Sequence, residues 1–486
     1  MANAFPTRAS PVALMAEKIA LIALLLAGAV FLLMMLIGLA MIAAQGNIVT
    51  IDPAVFYRLM TAHGAGMVGA AGLSGAAIMW HFIGRHVSLN TTVFVAFLAI
   101  FLLGVVLILG GIFIGGFGAA WTFLYPLPAH SGGAWEISAA VTYLLGLTAV
   151  GVAFLIFYLE TGRAIVSRYG TLSNAMAWPL IIHGHMDNVP PPAIIAASTV
   201  IIFNTIGTVV GAAVLVISLV NLIVPAFTID PLMAKNMTYF FGHVFINATI
   251  YMAVIGVYEI IPEYTGRPWK SSRIFAIAWS SILLFVMAVY PHHLLQDTVM
   301  PAWALVMGQI VSYLSGLPLL AVTAFGLLGY VRGSSMKWDL ASSLLFAGVF
   351  GWSIGVIPAV IDGMISVNKL MHNTLWVPGH FHTYLLLGEV AMSFGVMAWL
   401  VRDEKIVAFD SVDRVAFWAY MTGALAFTLT FLVSGAMSIP RRWAVHAPEW
   451  FAQDRMGAAF AVLTIVGAAY FVVRYATRLA GAITRP

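Results

Sequence analysis

Residues 366–395 read SVNKLMHNTLWVPGHFHTYLLLGEVAMSFG, and this stretch decides the fold. His380 and His382 stand two residues apart at the head of a long apolar run. On a helix that spacing turns the rings about 200° apart, so they face opposite flanks and one helix can ligate two metals, one on each side. Histidine inside a membrane is costly and is kept there by a metal, a proton or a partner. The plain alternative is a pair of interfacial histidines hydrogen-bonded to backbone, and the rest of the chain has to discriminate.

Of the 486 residues, 62% are hydrophobic and 8% charged, a composition that predicts a polytopic membrane protein. Cysteine is absent. That excludes thiolate ligands, iron–sulfur clusters, c-type heme attachment, disulfides and a dinuclear thiolate copper centre in this chain. The 13 histidines are then the main soft-metal ligands. The first apolar run, 19–44, is too long for the core of a signal peptide, so no cleavable leader is expected. A net charge of +4 is ordinary for a membrane protein and points to no nucleic acid.

Twelve apolar spans approach the ~20 residues a bilayer requires. They are read at 17–45, 56–84, 91–119, 134–160, 195–225, 237–262, 272–296, 301–331, 340–366, 374–401, 413–438 and 456–480. The longest connection, 161–194, ends in Pro190-Pro191-Pro192, which breaks a helix there. The expected fold is all-α, a single transmembrane catalytic unit over residues 1–486. Sixteen of the 22 basic residues fall on one side of these spans, which assigns that side and both termini to the cytoplasm. In that orientation His63, His243, His292, His293, His380 and His382 all lie in the outer part of the membrane, and Arg441-Arg442 lie outside it. Charge bias and histidine depth are independent signals, and they agree.

The segment HNTLWVPGHFH resembles helix ten of subunit I in the heme–copper oxidase superfamily, closest to its B-type members. Other signatures recur in order: His63 in TAHGAGM, His243 in YFFGHVF, His292-His293 in YPHHLLQD and Arg441-Arg442 in SIPRRW. The resemblance runs from about residue 55 to 445. It implies about twelve helices of the subunit I type in a bacterial or archaeal cytoplasmic membrane. It implies that His63 and His382 are axial ligands of a low-spin heme, that His380 is the single ligand of a high-spin heme, and that His243, His292 and His293 hold a non-heme metal facing it. Three imidazoles without a carboxylate favour copper over iron. Gly64 and Gly66 leave room for a flat macrocycle, or simply for close helix packing. Arg441 and Arg442 suit heme propionates, with His372 and Asp297 joining that network by resemblance. Asn368 stands where the B-type motif often has an acid. The implied partners are a small membrane-anchored electron-entry subunit, and cytochrome c, another soluble donor or a quinol.

The resemblance also breaks. Oxygen-reducing members place a cross-linked tyrosine four residues after the first copper histidine, and here that position is Asn247. The family's second solution falls on Val286, and Tyr251 and Tyr290 match neither position. Cleaving O2 needs an electron and proton donor beyond two metals, whereas coupling two NO needs two electrons and two protons. The reading that follows is a reductase of NO to N2O, with neutral Asn247 donating a hydrogen bond to bound substrate. An O2-reducing, proton-translocating terminal oxidase is the alternative, and a heme-containing transporter or sensor the third. Asn247, Tyr251 and Tyr258 share a face of the sixth span, and Ser312, Ser315 and Thr323 on the eighth extend it into a candidate proton path from the cytoplasm.

Overall fold

The computed structural model describes residues 11–402 and 409–484. Among them, twelve helices are long and apolar enough to cross a membrane. We number them α1 (Pro11–Gln45), α2 (Pro53–Ile83), α3 (Thr91–Ile114), α4 (Ile137–Tyr169), α5 (Pro192–Ile223), α6 (Pro231–Thr265), α7 (Arg273–Leu294), α8 (Ala302–Val331), α9 (Leu340–Asp362), α10 (Trp376–Leu400), α11 (Ser411–Ala436) and α12 (Pro448–Ala480). Helices satisfy every backbone group internally, the condition lipid imposes. Their ends are chemically marked. Asp52 precedes Pro53 and accepts from the amides of Ala54 and Val55, Asp230 precedes Pro231 and accepts from Met233, and Asp339 forms a capping box with Ser342.

Three of the four helices that carry these histidines, α2, α6 and α10, are the inner ones. In their most apolar stretches α2 is 78% buried, α6 83% and α10 89%, whereas α3 and α8 are 28% buried and face lipid. Helix α10 approaches α9 closely because Gly348, Gly351 and Gly355 line one face. A Cβ at Gly351 would strike the Leu387 backbone, and one at Gly355 would press the Tyr384 ring at 3.2 Å.

Several ends differ from the sequence reading. Helix α3 stops at Ile114, where Gly116 takes φ +81, and α9 stops at Asp362, before Gly363 and a short helix, Ile365–Met371. Helices α6 and α12 start earlier than expected, at Pro231 and Pro448, because proline opens a helix at no hydrogen-bond cost. His292 and His293 do not extend α7 as α-helix. The α-helix ends at Ala288, and Tyr290–Leu294 forms a 3-10 turn. Pro291 restricts Tyr290 and contributes no amide, and the tighter turn rotates the two rings about 120° apart instead of 100°. Helix α10 carries a π-helical segment, Thr383–Val390, just past the histidine pair.

Candidate functional site

One cavity of ≈ 400 Å³ lies among α2, α6, α7 and α10 and is lined by all six singled-out histidines: His63, His243, His292, His293, His380 and His382. Their arrangement within it falls into two groups.

At one end His63 of α2 faces His382 of α10, with ring centroids 6.1 Å apart and planes inclined by 21°. The Nδ1 of His63 is 2.8 Å from the Met34 carbonyl and that of His382 is 2.6 Å from the Pro378 carbonyl. Each Nδ1–H donates to a carbonyl, which leaves both Nε2 lone pairs free. Metal–imidazole bonds of about 2 Å on either side of one ion would put the ring centres about 6 Å apart. The pair therefore fits a bis-imidazole iron. Gly38 of α1 allows this approach: a Cβ there would meet His63 Cε1 at 3.0 Å. Phe427 and Phe431 of α11 pack edge-on to the His382 ring, at 5.5 and 5.7 Å.

At the other end His243, His292 and His293 present ring nitrogens that all lie within 4.8 Å of one another. His293 Nε2 is 3.1 Å from His243 Nδ1 and 3.0 Å from His292 Nε2. Three nitrogens bound to one ion in tetrahedral directions would be about 3.3 Å apart, so the donor set fits a single small metal. Second contacts orient the rings. Ser312 Oγ lies 2.8 Å from His292 Nδ1, and the Tyr239 ring stacks on His293 at 5.5 Å. The nitrogen-only donor set suits copper better than a hard cation.

His380 points to this second group, away from His63, as the two-residue spacing requires. Its ring is buried, with the Gly355 backbone of α9 as its hydrogen-bonding neighbour. Asn247, one turn below His243, brings Nδ2 to 3.0 Å from His243 Nε2 and 2.8 Å from the His243 carbonyl. Tyr251 donates to Asn247 Oδ1 at 3.3 Å. Sequence reasoning missed Tyr384. It lies one turn after His380, packs edge-on to that ring at 4.9 Å and lines the same cavity. Its i+4 relation to His380 was the available signal.

A short ladder fixes the arginine loop over the cavity. Leu375 N donates to Ile439 O at 2.9 Å, Arg441 N to Asn373 O at 3.0 Å, and Thr374 and Pro440 form an isolated β-bridge. Arg441 and Arg442 both line the cavity. Burial first, and then the Arg442 charge, hold the Arg441 guanidinium down to about 10, so the site calls for an anion there. His372 also lines the cavity, lowered to about 3 by burial and the two arginines, and stays neutral beside them. Asp297 does not line it: its carboxylate pairs with Lys235 at 2.5 Å. The candidate proton-path residues divide. Ser312 and Ser315 line the cavity, whereas Tyr258 and Thr323 pair with each other at 2.6 Å further along α6 and α8.

Twelve membrane-length helices around two facing histidine groups define the heme–copper oxidase subunit I class. The chain belongs to that superfamily, because the family model for cytochrome c and quinol oxidase polypeptide I matches residues 18–470. It is 25% identical over 419 residues to a cytochrome c oxidase subunit 1 of Synechocystis sp., covering 82% of this chain and 72% of that protein. It is 24% identical over 443 residues to a cytochrome c oxidase polypeptide 1 of Halobacterium salinarum, covering 88% and 71%. A cytochrome c oxidase subunit 1 of Thermus thermophilus matches at 23% over 258 residues, 48% of this chain and less than half, 45%, of that relative. A solved heme–copper terminal oxidase dimer superposes with a TM-score of 0.78 at 19% identity, covering 97% of this chain and 84% of that one, which shows the shared fold. The chain is thus a multi-pass membrane oxidoreductase subunit of a family that uses heme and copper.

Proposed function

We propose that this chain is the catalytic subunit of a respiratory reductase that converts two NO, two electrons and two protons to N2O and water. In this reading His63 and His382 hold a low-spin heme, His380 holds a high-spin heme, and His243, His292 and His293 hold copper. When bound, these groups supply single electrons and a gap between two metals for a diatomic substrate. Every other contribution comes from the chain. His63 and His382 would hold the heme iron from both sides, and a group so held would supply electron transfer only. Arg441 and Arg442 bind propionates, and His372 remains uncharged between them.

The observation that carries the choice of substrate is Asn247, 3.0 Å from His243 Nε2. An amide there yields no radical and no mobile proton, so this position lacks the extra donor that splitting O2 demands. An ion on His243 Nδ1 would leave the ring proton on Nε2, and the Asn247 amide would turn its oxygen to accept it. The test is turnover of the purified complex with each gas. Rapid NO consumption with N2O release supports the reading, and rapid clean reduction of O2 to water with NO only inhibiting overturns it.

O2 reduction with proton translocation is the second reading. Tyr251 and Tyr384 both line the cavity, one bonded to Asn247 and the other against His380. The relatives named above are oxidases. For either substrate, the absence of cysteine puts electron entry on a partner subunit fed by cytochrome c, another soluble donor or a quinol. The excess of basic residues at one end of the bundle supports a cytoplasmic membrane location with that end and both termini inside.

A further inference from the structure

Glu389 is 0% exposed and sits on α10, nine residues past His380, in the π-helical segment. Along the axis that is about 10–14 Å deeper than the histidine. A carboxyl at such depth is expensive unless it is paired with a cation or protonated. Its one hydrogen-bond partner among the described residues is Thr249 of α6, whose Oγ1 is 2.8 Å from Oε2, while Oε1 is buried without any partner. The same Thr249 hydroxyl is 2.7 Å from the Ile246 carbonyl. A hydroxyl carries one hydrogen, and a carbonyl only accepts. Thr249 has one hydrogen for two acceptors, and a protonated Glu389 that donates through its own O–H satisfies both contacts fully, so the geometry favours a neutral acid.

Other polar groups continue from it, away from the histidine cavity. One turn along α10, Ser393 Oγ lies 2.8 Å from Ser74 Oγ of α2, with both residues buried. Two turns along α2 from Ser74, His81 keeps a buried Nε2 without a partner. Beyond it an ionic cluster closes the end of the bundle. His86 Nε2 is 2.9 Å from Glu259, Arg85 is 3.6 Å from Glu263, and Arg402 is 2.7 Å from Glu263. These groups form a line between α2, α6 and α10, apart from the Tyr258–Thr323 pair between α6 and α8. Partnerless polar atoms inside so buried a core are costly, and water or a moving proton is what satisfies them.

We infer that Glu389 is a proton-holding residue, protonated at rest, that hands its proton toward the cavity during turnover and regains one from the Arg85–Glu259 end through His81 and the Ser74–Ser393 pair. In the step the carboxyl O–H bond breaks and the proton passes to a water or hydroxyl acceptor. No electron moves in the step itself, and an equivalent proton returns from the opposite side. The inference rests on the cavity being a proton-consuming site, but not on whether the substrate is NO or O2.

The test is infrared difference spectroscopy, reduced minus oxidised, on the substrate-free purified complex in H2O and D2O. A protonated-carboxyl band that responds to reduction, shifts in D2O and disappears in Glu389→Gln supports the inference. A spectrum with no such band, or one the substitution leaves unchanged, overturns it whatever the turnover. Should the glutamine variant fail to assemble, Glu389→Asp must move the band, and an unmoved band is equally fatal. Turnover in Glu389→Gln is expected to fall about 100-fold with heme spectra intact, while Thr249→Val, which removes only the tie to α6, keeps the band. Because the spectra need no substrate, a complex that reduces neither gas refutes the reading of the cavity while leaving this test standing.

Discussion

His63 and His382 stand on helices α2 and α10 with ring centroids 6.1 Å apart and planes only 21° from parallel, each anchored through Nδ1 to a backbone carbonyl. Replacing either by alanine should abolish the low-spin heme signal while the chain still inserts. Gly38→Ala is the finer probe: its new Cβ would sit 3.0 Å from His63 Cε1 and tilt the ring. The low-spin signal should then change shape and persist. Optical and paramagnetic-resonance spectra of the three variants check this, and unaltered spectra in both alanine replacements of histidine refute the pairing.

The three-histidine group should respond in steps. His243→Ala or His292→Ala should empty the copper site and keep both hemes. Ser312→Ala removes only the hydroxyl 2.8 Å from His292 Nδ1. Loss of such an outer partner should weaken copper retention about 10–100-fold. Metal analysis after graded chelation measures both effects, and full occupancy in the two histidine variants would show that the ligand set is misassigned.

Asn247→Tyr puts a phenol at the position 3.0 Å from His243 Nε2. It should raise O2 turnover slightly at best, because a cross-link must also form, and it should lower NO turnover about 10–100-fold by removing the amide. Tyr384→Phe and Tyr251→Phe distinguish the two readings of the site. If NO is the substrate, Tyr384→Phe retains most activity. If either abolishes O2 reduction in a complex that otherwise performs it, that tyrosine supplies the missing donor.

Asp297 lies in the loop between α7 and α8, and its hydrogen bond with Lys235 is the main cause of its depressed pKa. A carboxyl depressed in the folded state stabilises fully above its unfolded value and loses that contribution as pH falls through the folded value. Asp297→Asn should therefore lower thermal stability at pH 7 by about 1–2 °C, since the lysine is partly exposed, and make no difference in acid. A gap between variant and parent that persists or widens toward acid contradicts the assignment.

The twelve spans were legible because a bilayer demands long apolar runs, and the histidines because they interrupt those runs at spacings a helix turns into facing rings. Local backbone events were less visible. Nothing in YPHHLLQD, short of weighing Pro291, distinguishes an α-helix from the 3-10 turn that aims His292 and His293. The π segment after His382 has no composition of its own. Tyr384 and Glu389 were hidden by their apolar surroundings, although each is the odd residue in the stretch LLLGEV and its flank. The resemblance joins Asp297 to the arginine network, but Lys235 on α6 competes for the carboxylate, a contact that only the packed bundle creates.

That His380 and His382 share one helix has a mechanical consequence. With the two hemes held as proposed, the gap an electron would tunnel between them is set by a single two-residue step on α10 and not by the docking of separate elements. Stretching, thinning or tilting the surrounding lipid can shift α2 or α6 against their neighbours, yet it cannot alter that step. Exchange between the two centres should run at one rate in thick and thin bilayers alike, and any lipid sensitivity of the whole enzyme should enter where helices meet, at His63 or at His243.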